Sequence, residues 1–458
     1  MVGIKTIKMK IIKKIITGLF SLAFLPLLGQ DSVISLSLEQ SCKLGIEQNV
    51  KIRHAELERQ KAGYRVGETQ SKLYPQLEAY SNFSYYYAIP KMIIPGEIFG
   101  QTGLIPVEIG TKYDWANGFR ATQLLYNQTI FTSLKLAREM EKLSDLTLQQ
   151  AEEEIIYQIS QLYYLCQGTV DQITLLEDRK KNMDRLLEIT ALQSKNDLIL
   201  KTDHSRVEVA RDNLQTQIDN MNQLSHSQMS LFKYLVGLPL DSEIIISDSL
   251  SFSEENRLGN LFREPVSYRI ELQLIDHQIE LNRLHRKSIR QSYLPTLSGF
   301  GQLYYQGQRN EFDFFRSVDE KFYKVGVVGI QLTIPLFDGF EKKARLQQYD
   351  IELQQLNLAR EDKINYFSKE LLDAIHQYRN GLTVISRQKK NVEVAKEVYH
   401  VTLQGYRQQV VSLSDLLMSE NELTEADLSY SHALVQLKQA ALDLNRVRGE
   451  LLIFKETH

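Results

Sequence analysis

Chemistry in a chain gathers where His, Cys, Ser and carboxylates meet at fixed spacings, and this sequence offers few such places. Of its nine histidines, the nearest two, His277 and His285, are eight residues apart. That spacing puts them on one side of a helix but too far apart to share an ion, so they read as helix-surface residues. Cys42 and Cys166 match no metal or redox spacing and read as small buried or interfacial residues. The sequence has no nucleophile elbow, phosphate-binding glycine loop or zinc signature, so no catalytic, cofactor-binding or metal-ligating residue is expected. Lys and Arg total 54 against 57 for Asp and Glu, and the net charge of -3 gives no electrostatic case for nucleic acid. Thr202-Asp203 and Ser414-Asp415 stand out by position, because each follows a turn between two predicted helices. Read locally, both Asp residues are N-terminal helix caps, with Thr202 or Ser414 sharing the role.

The elements that position these residues are written twice. Lys72-Leu73-Tyr74-Pro75-Gln76-Leu77 recurs as Ser292-Tyr293-Leu294-Pro295-Thr296-Leu297, Gln123 to Asn127 answers to Ile334 to Asp338, and Lys201-Thr202-Asp203 answers to Leu413-Ser414-Asp415. The offset falls from 220 to 211 and 212 after Pro75, so one loop is shorter in the second copy. No proline occurs between Pro106 and Pro239 or after Pro335, and both intervals are rich in Leu, Gln, Glu, Lys and Ala. Leu423, Ala426, Tyr430, Ala433, Leu437, Ala440, Leu444, Val447 and Leu451 step by three and four as a heptad seam. Antiparallel helices are therefore expected near 128–195 and 203–236, and near 340–408 and 415–453.

Between the helices the period changes to two. Residues 77–87 and 113–125 alternate, as do 297–305 and 324–336, which predicts one strand pair near 76–126 and another near 296–336. The alternation sets Phe83, Tyr85, Trp115, Phe119, Val328, Ile330 and Leu332 on a lipid side, with Glu78, Asn82, Asp114 and Arg120 opposite. At the N-terminus, Lys5, Lys8, Lys10, Lys13 and Lys14 precede the apolar run Ile15 to Leu25, the pattern of a cleaved signal peptide. The divisions are a signal peptide over 1–30, a first repeat over 31–238, an equatorial linker over 239–264 and a second repeat over 265–458.

In this order, the strand lead-ins at Pro75 and Pro295, Pro335-Leu336-Phe337-Asp338-Gly339 after the last strand, and Gly405-Tyr406 followed by Ser414-Asp415-Leu416-Leu417 resemble the TolC family. The resemblance implies a mixed membrane protein, mainly α as long antiparallel coiled-coil hairpins, with four transmembrane β-strands per protomer. It further implies a homotrimer sharing one twelve-stranded barrel in outer-membrane lipid, with its helices in the periplasm. On this likeness the chain is the exit duct of a tripartite efflux pump or type I secretion system, partnered by a periplasmic adaptor (membrane fusion) protein and an inner-membrane transporter. Asp415 would form a carboxylate ring at the periplasmic entrance, and Asp203 would hold it closed through Tyr406 or Arg407. Where the family usually has a glycine after the turn tyrosine this chain has Gln408 and Gln409, and against one member of the family it has Met418 for a second Asp and Val411 for a basic residue, with Arg407 close by. The competing reading of the residues alone is an exported coiled-coil scaffold or surface structural protein.

Overall fold

The computed structural model describes residues 34–100, 102–248, 250–251, 269–315 and 322–451. The expected signal peptide, and the linker from 252 onward, lie outside them. Helices dominate: α1 (Leu38–Gln48), α2 (Val50–Ser71), α3 (Gln128–Lys195), α4 (Lys201–Val236), α5 (Ile270–Gln291), α6 (Glu341–Arg407) and α7 (Leu413–Val447). With 68 and 67 residues, α3 and α6 are long because no proline removes a backbone donor along them. Among the described residues, no helix is long and apolar enough to cross a membrane.

Eight strands complete the described chain, β1 (Ile34–Leu36), β2 (Gln76–Tyr85), β3 (Lys91–Pro95), β4 (Leu104–Glu108), β5 (Tyr113–Tyr126), β6 (Ile244–Ile246), β7 (Thr296–Arg309) and β8 (Tyr323–Thr333). The last strand stops at Thr333 rather than at Leu336, since Pro335 cannot donate to a ladder. Four strands form one antiparallel sheet in the order β2-β5-β7-β8, leaving β2 and β8 as its edges. Two further pairs have no counterpart in the strand reading of the sequence. β1 and β6 pair in parallel over three residues, too short for alternation to register, and β3 and β4 form a hairpin inside the longer first-copy loop.

The chain separates into two compact units. One comprises Met1–Gly45, Ile159–Ser253 and Arg387–Val435. Its core joins Leu176 and Met183 of α3, Val207 and Leu214 of α4, and Leu413 and Leu416 of α7. Here Asp248 staples the β1/β6 end, accepting hydrogen bonds from the Tyr163 hydroxyl at 2.8 Å and the Leu38 amide at 3.1 Å. Where α3 meets α7, a Cβ on Gly168 would lie 2.3 Å from Val435 Cγ2, so only glycine permits this approach.

The other unit comprises Ile46–Gln158, Glu254–Ser386 and Gln436–His458 and contains the four-stranded sheet. The two histidines there are not plain surface residues. His277 Nδ1 contacts Glu139 of α3, and His285 stacks on Tyr349 of α6 with ring centroids 5.5 Å apart. Arg269, only 5% exposed, is neutralised by Glu271 and Glu370 and lies 3.8 Å from the Phe367 ring centroid. Burial of that charge is tolerable because both carboxylates and the ring face it.

Candidate functional site

Two places in the chain carry the expected functional residues, the sheet and the paired helix turns. In the sheet, cross-strand partners share a face, so the register decides the grouping. Phe83 pairs with Trp115, Ala79 with Phe119 and Tyr85 with Tyr113. Phe119 then pairs with Leu303, and Gly301, Gly299 and Leu297 pair with Val328, Ile330 and Leu332. All seven expected outward residues therefore lie on one face, and Val328 and Ile330 are 90% and 74% exposed. Ser81 and Asn117 share that face yet satisfy each other. Trp115 Nε1 donates to Ser81 Oγ at 3.0 Å, and Ser81 Oγ donates to Asn117 Oδ1 at 2.6 Å.

The opposite face is more polar, with Gln302, Gln306 and Gln308 beside Phe300, Val325 and Val327. Arg120 bridges to Glu78 at 3.0 Å and stands over the Tyr80 ring, and Asp114 accepts from Gln306 Nε2 at 2.7 Å. Gly118 lets β5 and β7 close up, since a Cβ there would come within 2.3 Å of Tyr304 Cβ. Tyr80 and Tyr304 cover the gap with ring centroids 6.5 Å apart. At one end of the apolar face the β7–β8 loop folds onto the sheet, placing Phe312 and Phe314 against Phe83, with centroids 5.8 and 6.2 Å away. Together these residues make an aromatic band at one rim of a wall that is apolar on one side and more polar on the other.

The two helix turns share the same reversal. Leu198 N donates to Gln193 O and Val410 N to Gly405 O, both at 2.9 Å. Asp197 and Gln409 take matching left-handed conformations, φ 55° and 60°, where helices more often place glycine. Gln409 thus makes the reversal in a conformation that glycine adopts more readily. Gly405 is needed for a different reason, because a Cβ there would lie 2.5 Å from Val411 Cγ2.

The caps differ from the local reading of the sequence. Ser412, not Ser414, caps α7: its hydroxyl accepts from the Asp415 amide at 3.2 Å and donates to Asp415 Oδ2 at 2.7 Å. Ser414 Oγ instead accepts from Arg206 at 2.9 Å, tying α7 to α4. At the start of α4, Leu200 supplies no side-chain cap, and Asp203 lies 3.6 Å from Arg206. Asp203 is therefore paired with Arg206 rather than with Tyr406 or Arg407. Tyr406 donates to Gln193 Oε1 at 3.5 Å, and burial, with the nearby Asp203 charge, raises its phenol above the ordinary value. Tyr406 and Arg407 line a cavity of about 400 Å³ between α3, α6 and α7.

Behind the turns lies a buried charge cluster that the sequence reading passed over. Arg179 of α3 pairs with Asp427 and lies 3.9 Å from Glu420, both of α7. Glu420 is 4% exposed, and burial raises its carboxyl above the usual range. Tyr399 of α6 faces it, its phenol raised by burial and by the Glu420 charge. The readable signal was the register: Leu416, Leu423 and Tyr430 lie on the seam, and Glu420 and Asp427 each follow a seam position, Ser419 and Ala426, so two carboxylates flank the seam.

Residues 268–450 match the family of outer membrane efflux proteins. The alkaline protease secretion protein AprF of Pseudomonas aeruginosa is 22% identical over 347 residues, covering 72% of this chain and 70% of that protein. The structure of CusC superposes with a TM-score of 0.72 at 14% identity over 91% of this chain and 93% of that one. The outer membrane protein VceC of Vibrio cholerae gives the same TM-score at 12% identity, over 90% and 96% of the two chains. The match over residues 268–450 and the shared fold over nine tenths of its length make this chain similar to outer membrane efflux proteins.

Proposed function

We propose that this chain forms the outer-membrane exit duct of an export system and conducts substrate passively from the periplasm to the exterior. The observation that carries this reading is the four-stranded sheet, apolar on one face, more polar on the other and open at both edges. Such a sheet meets lipid only as part of a closed barrel, because unpaired edges are not tolerated in hydrocarbon. Phe83, Tyr85, Trp115, Phe119, Val328, Ile330 and Leu332 are its lipid face. A homotrimer completes the barrel, and a periplasmic adaptor and an inner-membrane transporter deliver the cargo. The protease-secretion name of its relative AprF supports export through such a partnership.

At the helix turns, Asp415 provides the inward carboxylates of the entrance, a ring that favours cations over anions. The Tyr406–Gln193 and Arg206–Ser414 links hold adjacent helices together there, and each is worth about 0.5–1.5 kcal/mol. Planar-bilayer recording of the purified assembly tests the proposal. Wild type is expected to show stable conductance with cation preference, Asp415→Ala to lose part of that preference, and Tyr406→Phe with Arg206→Ala to conduct more. Wild-type behaviour in both variants overturns the entrance assignment, and absence of any conductance overturns the duct.

A further inference from the structure

The cavity behind the helix turns, about 400 Å³ between α3, α6 and α7, lies within one compact unit of the chain. Its size falls in the ordinary range of small-ligand pockets, about 300–1,000 Å³. Met183 and Leu186 of α3, Leu403 of α6 and Leu416 of α7 give it an apolar lining. Met183 and Leu416 also belong to the core of that unit, so the packing that holds the helices holds the wall. Such a space favours the apolar body of a small molecule over water.

One polar group in the wall is left without a match. Glu420 lines the cavity at 4% exposure, and neither of its carboxylate oxygens makes a hydrogen bond among the described residues. Arg179 bonds to Asp427 and stays 3.9 Å from Glu420, so one cation faces two anions and a negative charge is left over. Burial raises the Glu420 carboxyl because water no longer supports that charge, and a cation beside it supplies the missing support. Arg185 and Arg407 line the same cavity, but both are exposed, and solvent screens an exposed charge far more than a buried one. Glu420 therefore sets the sign of the ligand. Two phenols complete the polar side. Tyr399 faces Glu420, and Tyr406, which gives its proton to Gln193, keeps its oxygen lone pairs as acceptors. An ammonium, all donor and no acceptor, fits this set.

We propose that the cavity binds a small amphipathic amine, its ammonium at Glu420 and its apolar body against Met183, Leu186, Leu403 and Leu416. The occupant joins α3 to the α6–α7 hairpin beside the Tyr406–Gln193 contact. The site lies within a single chain, so it goes beyond the duct reading without depending on it.

The full chain, purified in mild detergent, is titrated by calorimetry with 2-phenylethylamine, with 2-phenylethanol as the neutral analogue and with phenylacetate as the anionic one. One saturable site per chain is expected for the amine, about tenfold or more tighter than for the alcohol, as a hydrogen bond to a buried charge supplies. The amine should also raise the melting temperature, because it binds the folded chain. Glu420→Gln keeps the shape of the side chain and should remove the preference for the amine while leaving the affinity for the alcohol unchanged. Leu186→Trp fills the cavity and should abolish binding of amine and alcohol alike; should it not fold, Glu420→Gln carries the test alone. Equal affinity of amine and alcohol for wild type, or undiminished amine affinity in Glu420→Gln, overturns the proposal. So does tighter binding of phenylacetate, which hands the site to Arg185 and Arg407, and so does the lack of any saturable amine binding. Asp415, outside the cavity, is the control: Asp415→Ala should bind the amine as wild type does. Loss of amine binding in that variant puts the amine at the duct entrance and overturns the cavity site while leaving the duct reading intact.

Discussion

Arg179 is one guanidinium facing two buried carboxylates, Asp427 and Glu420, and the imbalance makes their roles unequal. Asp427 is the close partner, so Asp427→Asn should leave Arg179 undercompensated and cost about 3 kcal/mol. Glu420 is the surplus charge. Its carboxyl is raised from the ordinary 4.5 by burial, so the folded state holds that proton more tightly than the unfolded state. This contribution to stability is fully present below the unfolded value and is lost as pH rises through the raised one. Glu420→Gln should therefore match or exceed wild-type stability at neutral pH and flatten the decline above about pH 4.5. Thermal melts of both variants between acid and neutral pH check this. Melting of Glu420→Gln well below wild type at neutral pH would show the charge to be needed. None of this cluster was evident from composition. Its clue, carboxylates flanking the seam, is easily taken for a solvated helix face until the partner Arg179 of α3, some 240 residues earlier, is seen beside them.

The elements were far more legible than the side-chain pairings within them. Proline-free runs and heptad steps located the four long helices within a few residues, and period-two alternation located the four sheet strands, because both signals repeat many times. Short elements such as β1 and β6 gave no repetition to read. Turn chemistry was harder still, since Gln409 does the work of a glycine and Ser412 replaces Ser414 as the cap. A left-handed non-glycine residue costs about 1–2 kcal/mol, so Gln409→Gly should stabilise the α6–α7 turn by roughly 1 kcal/mol. Gly405→Ala should do the reverse, given the 2.5 Å approach to Val411 Cγ2. Amide exchange at Val410 and Val411 measures both, and equal protection in the two variants would remove the strain argument. In the sheet, Ile330 and Asn82 lie on opposite faces. A lysine toward lipid at the midplane costs about 2–4 kcal/mol, whereas one on the polar face costs little. Ile330→Lys should therefore reach the outer membrane in much lower yield than Asn82→Lys, and equal yields would count against the assigned facing.

At the scale of the molecule, the open sheet edges set a requirement that no single copy meets. The four strands end in β2 on one side and β8 on the other, both with a row of unpaired backbone groups. A barrel needs about eight strands or more, so one chain falls short of closure. In lipid each unpaired group costs several kcal/mol, and an edge of ten or more residues carries several such groups. Self-association by pairing β2 of one copy with β8 of the next removes every edge only when the ring closes, and three copies give the twelve strands the family resemblance implies. A folded monomer should therefore not accumulate in the membrane, and stability should be inseparable from assembly. Native mass measurement in mild detergent is expected to give a trimer and unfolded chains with nothing folded between. The sharper check is a proline placed at a donor position of the β8 edge, which breaks pairing between copies while leaving the β7–β8 ladder inside the chain intact. Loss of both trimer and folded material together is the expected result, and a stable folded monomer from that variant would refute obligatory association.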